Sequence, residues 1–242
     1  MYYKEMYLPR PSDYDRNGKL SYEAFFQILE TVASNHSTKV GDGIADANKN
    51  GIAWILTEWR VKIHHIPENG QKLNIKTWVR GKAPTSMVYR DFEVADDSNH
   101  TLLTAEAKFA LLDLNTMRLT RISEELFAAY CPENEIVFEV TSRLRAPSAF
   151  SAQYDFALRR SDIDFNGHVY NTKYVDFALQ ALPEKVLKDN SIDEIQVVYS
   201  KPVLENDNVC LKYVQNEREH YVCITVDNVS YATVKMCANE LD

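Results

Sequence analysis

This 242-residue chain contains an internal repeat, which limits the folds that are open to it. Asp15-Arg16-Asn17-Gly18 is matched by Asp164-Phe165-Asn166-Gly167, an offset of 149 residues (164 against 15), and a helical pattern follows each copy. A second match links Glu58–Val61 with Glu194–Val197 at an offset of 136, so the first half contains one additional loop. The same order of elements occurring twice predicts two copies of one module.

Each module is predicted to be a helix followed by antiparallel strands. Apolar side chains recur every three or four positions in two segments, and this spacing predicts helices over 21–33 and 172–182. Ser21 is the predicted N-cap of the first helix. Alternating β-branched and aromatic residues predict strands at 52–63, 73–77, 87–94, 102–112, 195–203, 209–214, 221–226 and 231–238. This is an α+β layout, with domains at 1–140 and 153–242 joined by a linker at 141–152.

Charge and composition exclude several function classes. Lys and Arg number 27 against 35 Asp and Glu, and the net charge of −8 argues against a nucleic-acid partner. No apolar run of membrane-spanning length and no signal-peptide pattern occurs, so we expect no membrane partner. The four cysteines stand singly, which predicts buried, reduced thiols in a cytoplasmic protein. One basic stretch, with Arg143, Arg145, Arg159 and Arg160, runs against the overall charge.

The segment Asp13–Ala24 has the acidic spacing of a calcium-binding EF-hand loop. However, Ala24 stands where the loop requires a bidentate Glu, and Pro9 and Pro11 occupy the place of the entering helix. Calcium binding is therefore the least favoured hypothesis, and we predict no metal and no cofactor.

The residues that suggest chemistry are Asp164, Asn166 and His168, at alternate positions ahead of the second helix. If this stretch is extended, the three side chains share one face, next to backbone N–H groups at the helix start. Such an arrangement suits attack on a carbonyl. The same letters also serve turns and caps, so both interpretations stay open. In the first copy Lys19 stands in place of His168, which suggests that one half is functional and the other is a scaffold or a lid.

The segment Asp164-x-Asn166-Gly167-His168-Val169-x-Asn171-x-x-Tyr174 resembles the signature of hotdog-fold thioesterases. The doubled module resembles the acyl-acyl-carrier-protein (acyl-ACP) thioesterases of bacteria and plant plastids. This resemblance implies a tandem hotdog fold, in which each half is a long helix wrapped by a curved antiparallel sheet. It also implies hydrolysis of fatty acyl thioesters on acyl carrier protein, by a monomer or a homodimer.

The resemblance implies a role for each residue of the motif. Asp164 would orient its neighbours, Asn166 would hold the attacking water or the thioester carbonyl, and His168 would transfer protons, while helix-start N–H groups stabilise the oxyanion. One departure matters, because Pro202 stands where the family usually places a catalytic Glu.

Val203 likewise stands where plant members have Cys. Three explanations of this departure stay open: Asp164 and His168 activate water alone, Glu205 is the base, or the protein is a non-catalytic binder of acyl groups or carrier protein. Acyl-CoA hydrolysis is the enzymatic alternative.

Overall fold

The structure is a computed structural model that describes residues 1–81, 85–139, 144–188 and 192–238. The chain forms two compact units. Unit 1 comprises Met1–Thr57 and Ile63–Thr141, and unit 2 comprises Glu58–Lys62 and Ser142–Asp242. The first three residues of the predicted linker, and Arg143 of the basic stretch with them, lie outside the described residues.

Unit 1 is built from one long helix and an antiparallel sheet. The sheet has the order β1-β3-β4-β5-β2, with β6 paired to β5. The elements of this half are β1 (Tyr3–Tyr7), α1 (Tyr22–Lys39), α2 (Ala47–Asn50), β2 (Ile52–Ile63), β3 (Leu73–Val79), β4 (Met87–Ala95), β5 (Thr101–Asp113), β6 (Arg118–Leu119) and α3 (Glu124–Ala129).

Unit 2 repeats this plan with a shorter helix. Residues 58–62 of β2 pair with β8, and the order continues through β11, β10, β9 and β7. The elements are β7 (Ala152–Phe156), α4 (Lys173–Gln180), α5 (Glu184–Lys188), β8 (Ile192–Tyr199), β9 (Val209–Asn216), β10 (Glu219–Val226) and β11 (Val229–Ala238).

The two helices follow their sequence patterns and bury one apolar stripe each. Ser21 accepts a hydrogen bond from the N–H of Ala24 at 3.2 Å, as its N-cap position predicts. Helix α1 packs on β1 and β3, and α4 packs on β10 and β11. The expectation of a long helix in both halves is wrong for unit 2, since α4 has eight residues. Pro183 is the reason, because proline cannot continue a helix and disfavours helical backbone in the residue before it.

Two strands that the sequence patterns did not predict open the units, at the repeat offset of 149 residues. Strand β1 begins at Tyr3 and pairs with β3, and β7 begins at Ala152 and pairs with β9. Each is five residues long and mostly exposed or half-buried, so its hydrophobic alternation is weak. The strand predicted at 195–203 ends at Tyr199, because Pro202 has no N–H to continue the ladder.

The segment after α3, which has no periodic pattern in the sequence, is bound to the edge of β3 in unit 1. The N–H of Glu133 donates to the carbonyl of Val79 at 2.9 Å, and the indole of Trp78 donates to the carbonyl of Glu135 at 2.9 Å. Trp78 is fully buried. The segment therefore belongs to the packed structure of unit 1.

All four cysteines are free, but their burial differs from the expectation. Cys223 is buried, Cys210 and Cys237 are half-buried, and Cys131 is exposed. The prediction of buried thiols is thus wrong for Cys131, which lies just after α3 and faces solvent.

None of the described helices is long and apolar enough to cross a membrane.

Candidate active site

The motif that contains Asp164, Asn166 and His168 forms a closed hairpin turn. The N–H of Asp164 donates to the carbonyl of His168 at 2.7 Å, and Ile163 pairs with Val169 on either side. Gly167 closes the turn with a φ of +78°, a conformation that glycine adopts without strain. The expectation of an extended ribbon is therefore wrong.

The carboxylate of Asp164 holds this turn together. Its Oδ1 accepts the N–H groups of Asn166 at 2.8 Å and His168 at 3.0 Å, and its Oδ2 accepts the side-chain amide of Asn166 at 3.3 Å. These are the bonds of an Asx turn, in which a short acidic side chain binds the backbone that follows it. Asp164 thus fixes the positions of Asn166 and His168.

Unit 1 contains the same turn with the same dimensions. Asp15 accepts the N–H groups of Asn17 at 2.8 Å and Lys19 at 3.0 Å, and its own N–H donates to the carbonyl of Lys19 at 2.7 Å. The repeated Asp and Asn letters are therefore explained by turn chemistry in both units. The two five-residue turns differ in side chain at only two positions, where unit 2 has His168 and Phe165 and unit 1 has Lys19 and Arg16.

His168 lies beside the segment that follows β8. It forms an antiparallel bridge with Leu204, and the N–H of Val169 donates to the carbonyl of Val203 at 2.9 Å. Its side chain is half-buried, and its imidazole makes no hydrogen bond to any residue in the described ranges. Both ring nitrogens are therefore open to a bound molecule. Asn166 is exposed at the tip of the turn, and Asp164 is half-buried.

Two tyrosines hold together the segments around His168 by hydrogen bonds to backbone atoms. The hydroxyl of Tyr174 on α4 accepts the N–H of Val203 at 2.9 Å, and burial raises the pKa of this phenol to about 12. The hydroxyl of Tyr199 donates to the carbonyl of Asn171 at 3.0 Å. Helix α4, the end of β8 and the segment at Val203 are thereby tied together behind His168. Tyr174 was part of the sequence motif, whereas Tyr199 marked the position of the family glutamate in the sequence without a predicted role of its own.

The start of α4 does not offer the free N–H groups that the sequence led us to expect. The N–H groups of Lys173, Tyr174 and Val175 donate to the carbonyls three residues before them at 3.0–3.3 Å. Such bonds are common at helix ends and occupy donors that would otherwise be free. The side-chain amide of Asn166 is the better candidate for an oxyanion donor, because only one of its two N–H groups donates to Asp164.

The positions around Pro202 contain no base that the fold directs inwards. Pro202 is exposed, and Val203 is fully buried. Glu205 is exposed on a turn in which the N–H of Leu204 donates to the carboxylate of Asp207 at 2.8 Å. Because Leu204 is paired with His168, Glu205 lies close to the site in the chain, but it faces solvent.

The EF-hand-like segment is explained by the same local chemistry. Asp13 is buried and accepts the hydroxyl of Tyr7 at 2.8 Å and the N–H of Arg10 at 2.7 Å. Burial opposes its ionisation, but the donors on Arg10 and Tyr7 hold the pKa of Asp13 below its usual value. Among the described residues, no group of three or more His, Cys, Asp or Glu side chains is arranged to hold a metal ion.

The basic stretch is exposed where the structure describes it. Arg145, Arg159 and Arg160 are all solvent-facing, and Arg160 begins the 3₁₀ turn Arg160–Asp162 that leads into the hairpin. Asp162 caps this turn by accepting the N–H of Arg159 at 2.8 Å, as Asp13 does for Arg10 in unit 1.

Comparison with known proteins places this arrangement of helix, sheet and turn in the tandem hotdog class. A structure of an acyl-ACP thioesterase from Bacteroides thetaiotaomicron superposes with a TM-score of 0.86 at 22% identity, covering 98% of each chain. The 12:0-ACP thioesterase from Umbellularia californica superposes with a TM-score of 0.84 at 17% identity, covering 98% of this chain and 97% of that one. The fold implied by the resemblance is confirmed.

The family is defined by its sequence patterns. The pattern described as the acyl-ACP thioesterase N-terminal domain matches residues 1–130, and that of the C-terminal domain matches residues 146–238. The chain belongs to the acyl-ACP thioesterase family.

Two curated relatives show how far the likeness extends. The chloroplastic oleoyl-acyl carrier protein thioesterase of Coriandrum sativum is 25% identical over 226 residues, which are 86% of this chain and 61% of that protein. The chloroplastic dodecanoyl-[acyl-carrier-protein] hydrolase of Cinnamomum camphora is 26% identical over 195 residues, 75% of this chain and 51% of that protein. The chain spans about three fifths of the length of the oleoyl-specific relatives it matches.

Proposed function

We propose that this protein hydrolyses fatty acyl thioesters carried on acyl carrier protein, releasing the free acid and the carrier thiol. Family membership along both units supports the reaction class. The observation on which the proposal rests is His168, which stands on a turn that unit 1 duplicates bond for bond with Lys19 instead. A residue needed only for the turn would not have to be histidine.

The proposed chemistry uses water and one imidazole. The imidazole of His168 takes a proton from water as the water oxygen attacks the carbonyl carbon of the thioester. The amide of Asn166 donates to the carbonyl oxygen, where negative charge develops. The tetrahedral intermediate collapses with breakage of the C–S bond, and the imidazolium returns its proton to the departing thiolate. Asp164 acts by positioning the other two.

The experiment is thiol release from acyl-ACP by matched variants of the two turns. His168→Lys gives the second turn the residue that the first turn already holds, so we expect the fold to be retained. General acid–base catalysis contributes about 10²- to 10⁴-fold, and kcat/KM should fall by that order. Lys19→His is the matched control and should leave turnover unchanged. Turnover by His168→Lys within a few-fold of wild type would contradict the assignment.

The same assay separates the alternative functions. The same acyl chain presented on coenzyme A should be hydrolysed more slowly than on the carrier protein, and equal rates would favour an acyl-CoA thioesterase. Tight binding of acyl-ACP without thiol release by the wild type would favour the non-catalytic binder, for which Pro202 is the supporting observation. We also propose that the protein works in the cytoplasm, because all four cysteines are unpaired thiols.

A further inference from the structure

The tip of the catalytic turn displays a large apolar side chain to solvent. Phe165 is 77% exposed, the highest exposure among the large hydrophobic side chains of the described residues. Leu204, which pairs with His168, is 47% exposed, and Tyr170 is 45% exposed two residues beyond His168. Removal of apolar surface from water is favourable, so a group of exposed apolar side chains close together in the fold is a candidate contact site.

The turn itself does not require the phenyl ring. In unit 1 Arg16 occupies the same position of a turn with the same hydrogen bonds, and it too is exposed. Phe165 accepts none of the bonds that close the turn, all of which run between Asp164, Asn166, Gly167 and His168. The folding of the turn therefore does not explain the apolar side chain at this position.

Two exposed arginines, Arg159 and Arg160, precede the same hairpin in the chain. Arg10 in unit 1 donates from its guanidinium to Asp13 at 3.0 Å, whereas Arg159, at the equivalent position, forms no side-chain ion pair within the described residues. Arg160 next to it is likewise exposed and unpaired there. Arginine and exposed aromatic side chains are the residue types that are enriched in protein-binding hot spots.

We propose that Phe165, Leu204, Arg159 and Arg160 form a docking patch for the carrier protein, with Phe165 as its apolar anchor. The inference rests on the proposed function and adds a surface to it. Acyl carrier proteins are acidic, so the two arginines meet complementary charge on a chain whose net charge is −8. Docking at the tip of the turn brings the thioester to His168, three residues away in the chain.

The test compares a carrier-bound substrate with a small one. Phe165→Ser should raise KM for acyl-ACP about tenfold or more, as loss of an aromatic hot spot does, and should weaken binding of holo-carrier protein by a similar factor. Hydrolysis of an acyl-N-acetylcysteamine thioester, which has no carrier, should change less than twofold. Phe165→Leu should restore most of the affinity, and Arg16→Ser in unit 1 is the matched control, expected to leave the KM for acyl-ACP unchanged. The double variant Arg159→Glu, Arg160→Glu should add a loss that is largest at low salt.

The outcomes separate this inference from the function on which it rests. An unchanged KM for acyl-ACP in Phe165→Ser, or an equal loss on both substrates, would overturn the docking patch while leaving the hydrolase assignment intact. Failure of the wild type to hydrolyse either substrate would instead overturn the proposed function. In that case, unchanged binding of holo-carrier protein by Phe165→Ser would overturn the patch as well.

Discussion

His168 and Lys19 occupy one position in two hairpin turns whose backbone hydrogen bonds have the same lengths. In both, the N–H of the residue lies 3.0 Å from an aspartate Oδ1 and its carbonyl accepts the aspartate N–H at 2.7 Å. The turn of unit 1 is thus an internal reference for the candidate active site in unit 2. Any effect that follows from the turn alone should appear in both units, and any effect of catalysis in only one.

The two turn aspartates should be equivalent for stability and different for activity. Asp15→Ala and Asp164→Ala each remove a carboxylate that accepts two backbone N–H groups, and each should lower the free energy of unfolding by about 1–2 kcal/mol. Only Asp164→Ala should also lower kcat, by about 10²-fold, because His168 loses its fixed position. Denaturant unfolding and thiol release measure the two effects. Full activity in Asp164→Ala would show that the turn does not position the histidine.

Glu205 is not expected to be the base that replaces the family glutamate. Its side chain is exposed on the turn between Leu204 and Asp207. Glu205→Gln preserves the size of the side chain and removes its basicity, and kcat should stay within twofold of wild type. A loss of about 10²-fold would instead assign proton abstraction to Glu205.

Unit 1 contains a buried histidine that should make the protein acid-sensitive. His36 stacks on Tyr3 with ring centroids 4.9 Å apart, and its Nδ1 accepts a hydrogen bond from the guanidinium of Arg90 at 2.9 Å. Burial, and then the charges of Arg90 and Lys39, lower the pKa of His36 to about 4. The unfolded chain, with a pKa near 6.5, therefore binds more protons between about pH 4 and 6.5, and stability falls as pH falls through this window.

Full titration of His36 would cost about 3 kcal/mol. Asn in its place offers an acceptor to Arg90 without titrating, so His36→Asn should have a flatter stability profile between pH 6.5 and 4.5. Urea unfolding at several pH values checks this. Burial also lowers the pKa of His220, which gives both proteins the same residual slope. An unchanged pH dependence in His36→Asn would contradict the prediction.

Breaking the buried ion cluster of Arg80, Asp91 and Glu106 in unit 1 should lower the free energy of unfolding substantially. Arg80 donates two hydrogen bonds to Asp91, at 2.6 and 2.8 Å, and is also bonded to Glu106. Asp91 is fully buried, and burial raises its pKa despite the adjacent guanidinium. Arg80→Met would remove a cation that contacts both carboxylates and should destabilise the protein by about 3–5 kcal/mol.

The comparison is Arg60→Met in unit 2. Arg60 pairs with Glu194 at 3.0 Å, and the two side chains are 24% and 14% exposed. Because solvent screens this pair, we expect a loss of about 1 kcal/mol. Unfolding in guanidinium chloride measures the free energy of unfolding of both variants. Equal losses would contradict the expectation that breaking a buried ion pair costs more than breaking a partly exposed one.

Local patterns in the sequence were enough to predict the helices, most of the strands and the duplicated module. Period-3.6 and period-2 spacing is produced by one-sided burial, and it is visible wherever an element has one buried face. Strands β1 and β7 have little such contrast, and only their common offset of 149 residues from each other could have revealed them. The three residues Asp164, Asn166 and His168 could be named because they are close in the chain.

The residue order alone was enough to predict the repeat, the α+β layout and the occurrence of histidine at this turn position in one copy only. The tertiary structure decided that the motif is a closed turn held by the Asp164 carboxylate, that Leu204 pairs with His168, and that Tyr199 and Tyr174 hold the segments behind it. These contacts join residues up to 36 positions apart (204 against 168). Side-chain spacing records which face of an element is buried, whereas partners from distant segments are chosen only when the whole chain has packed.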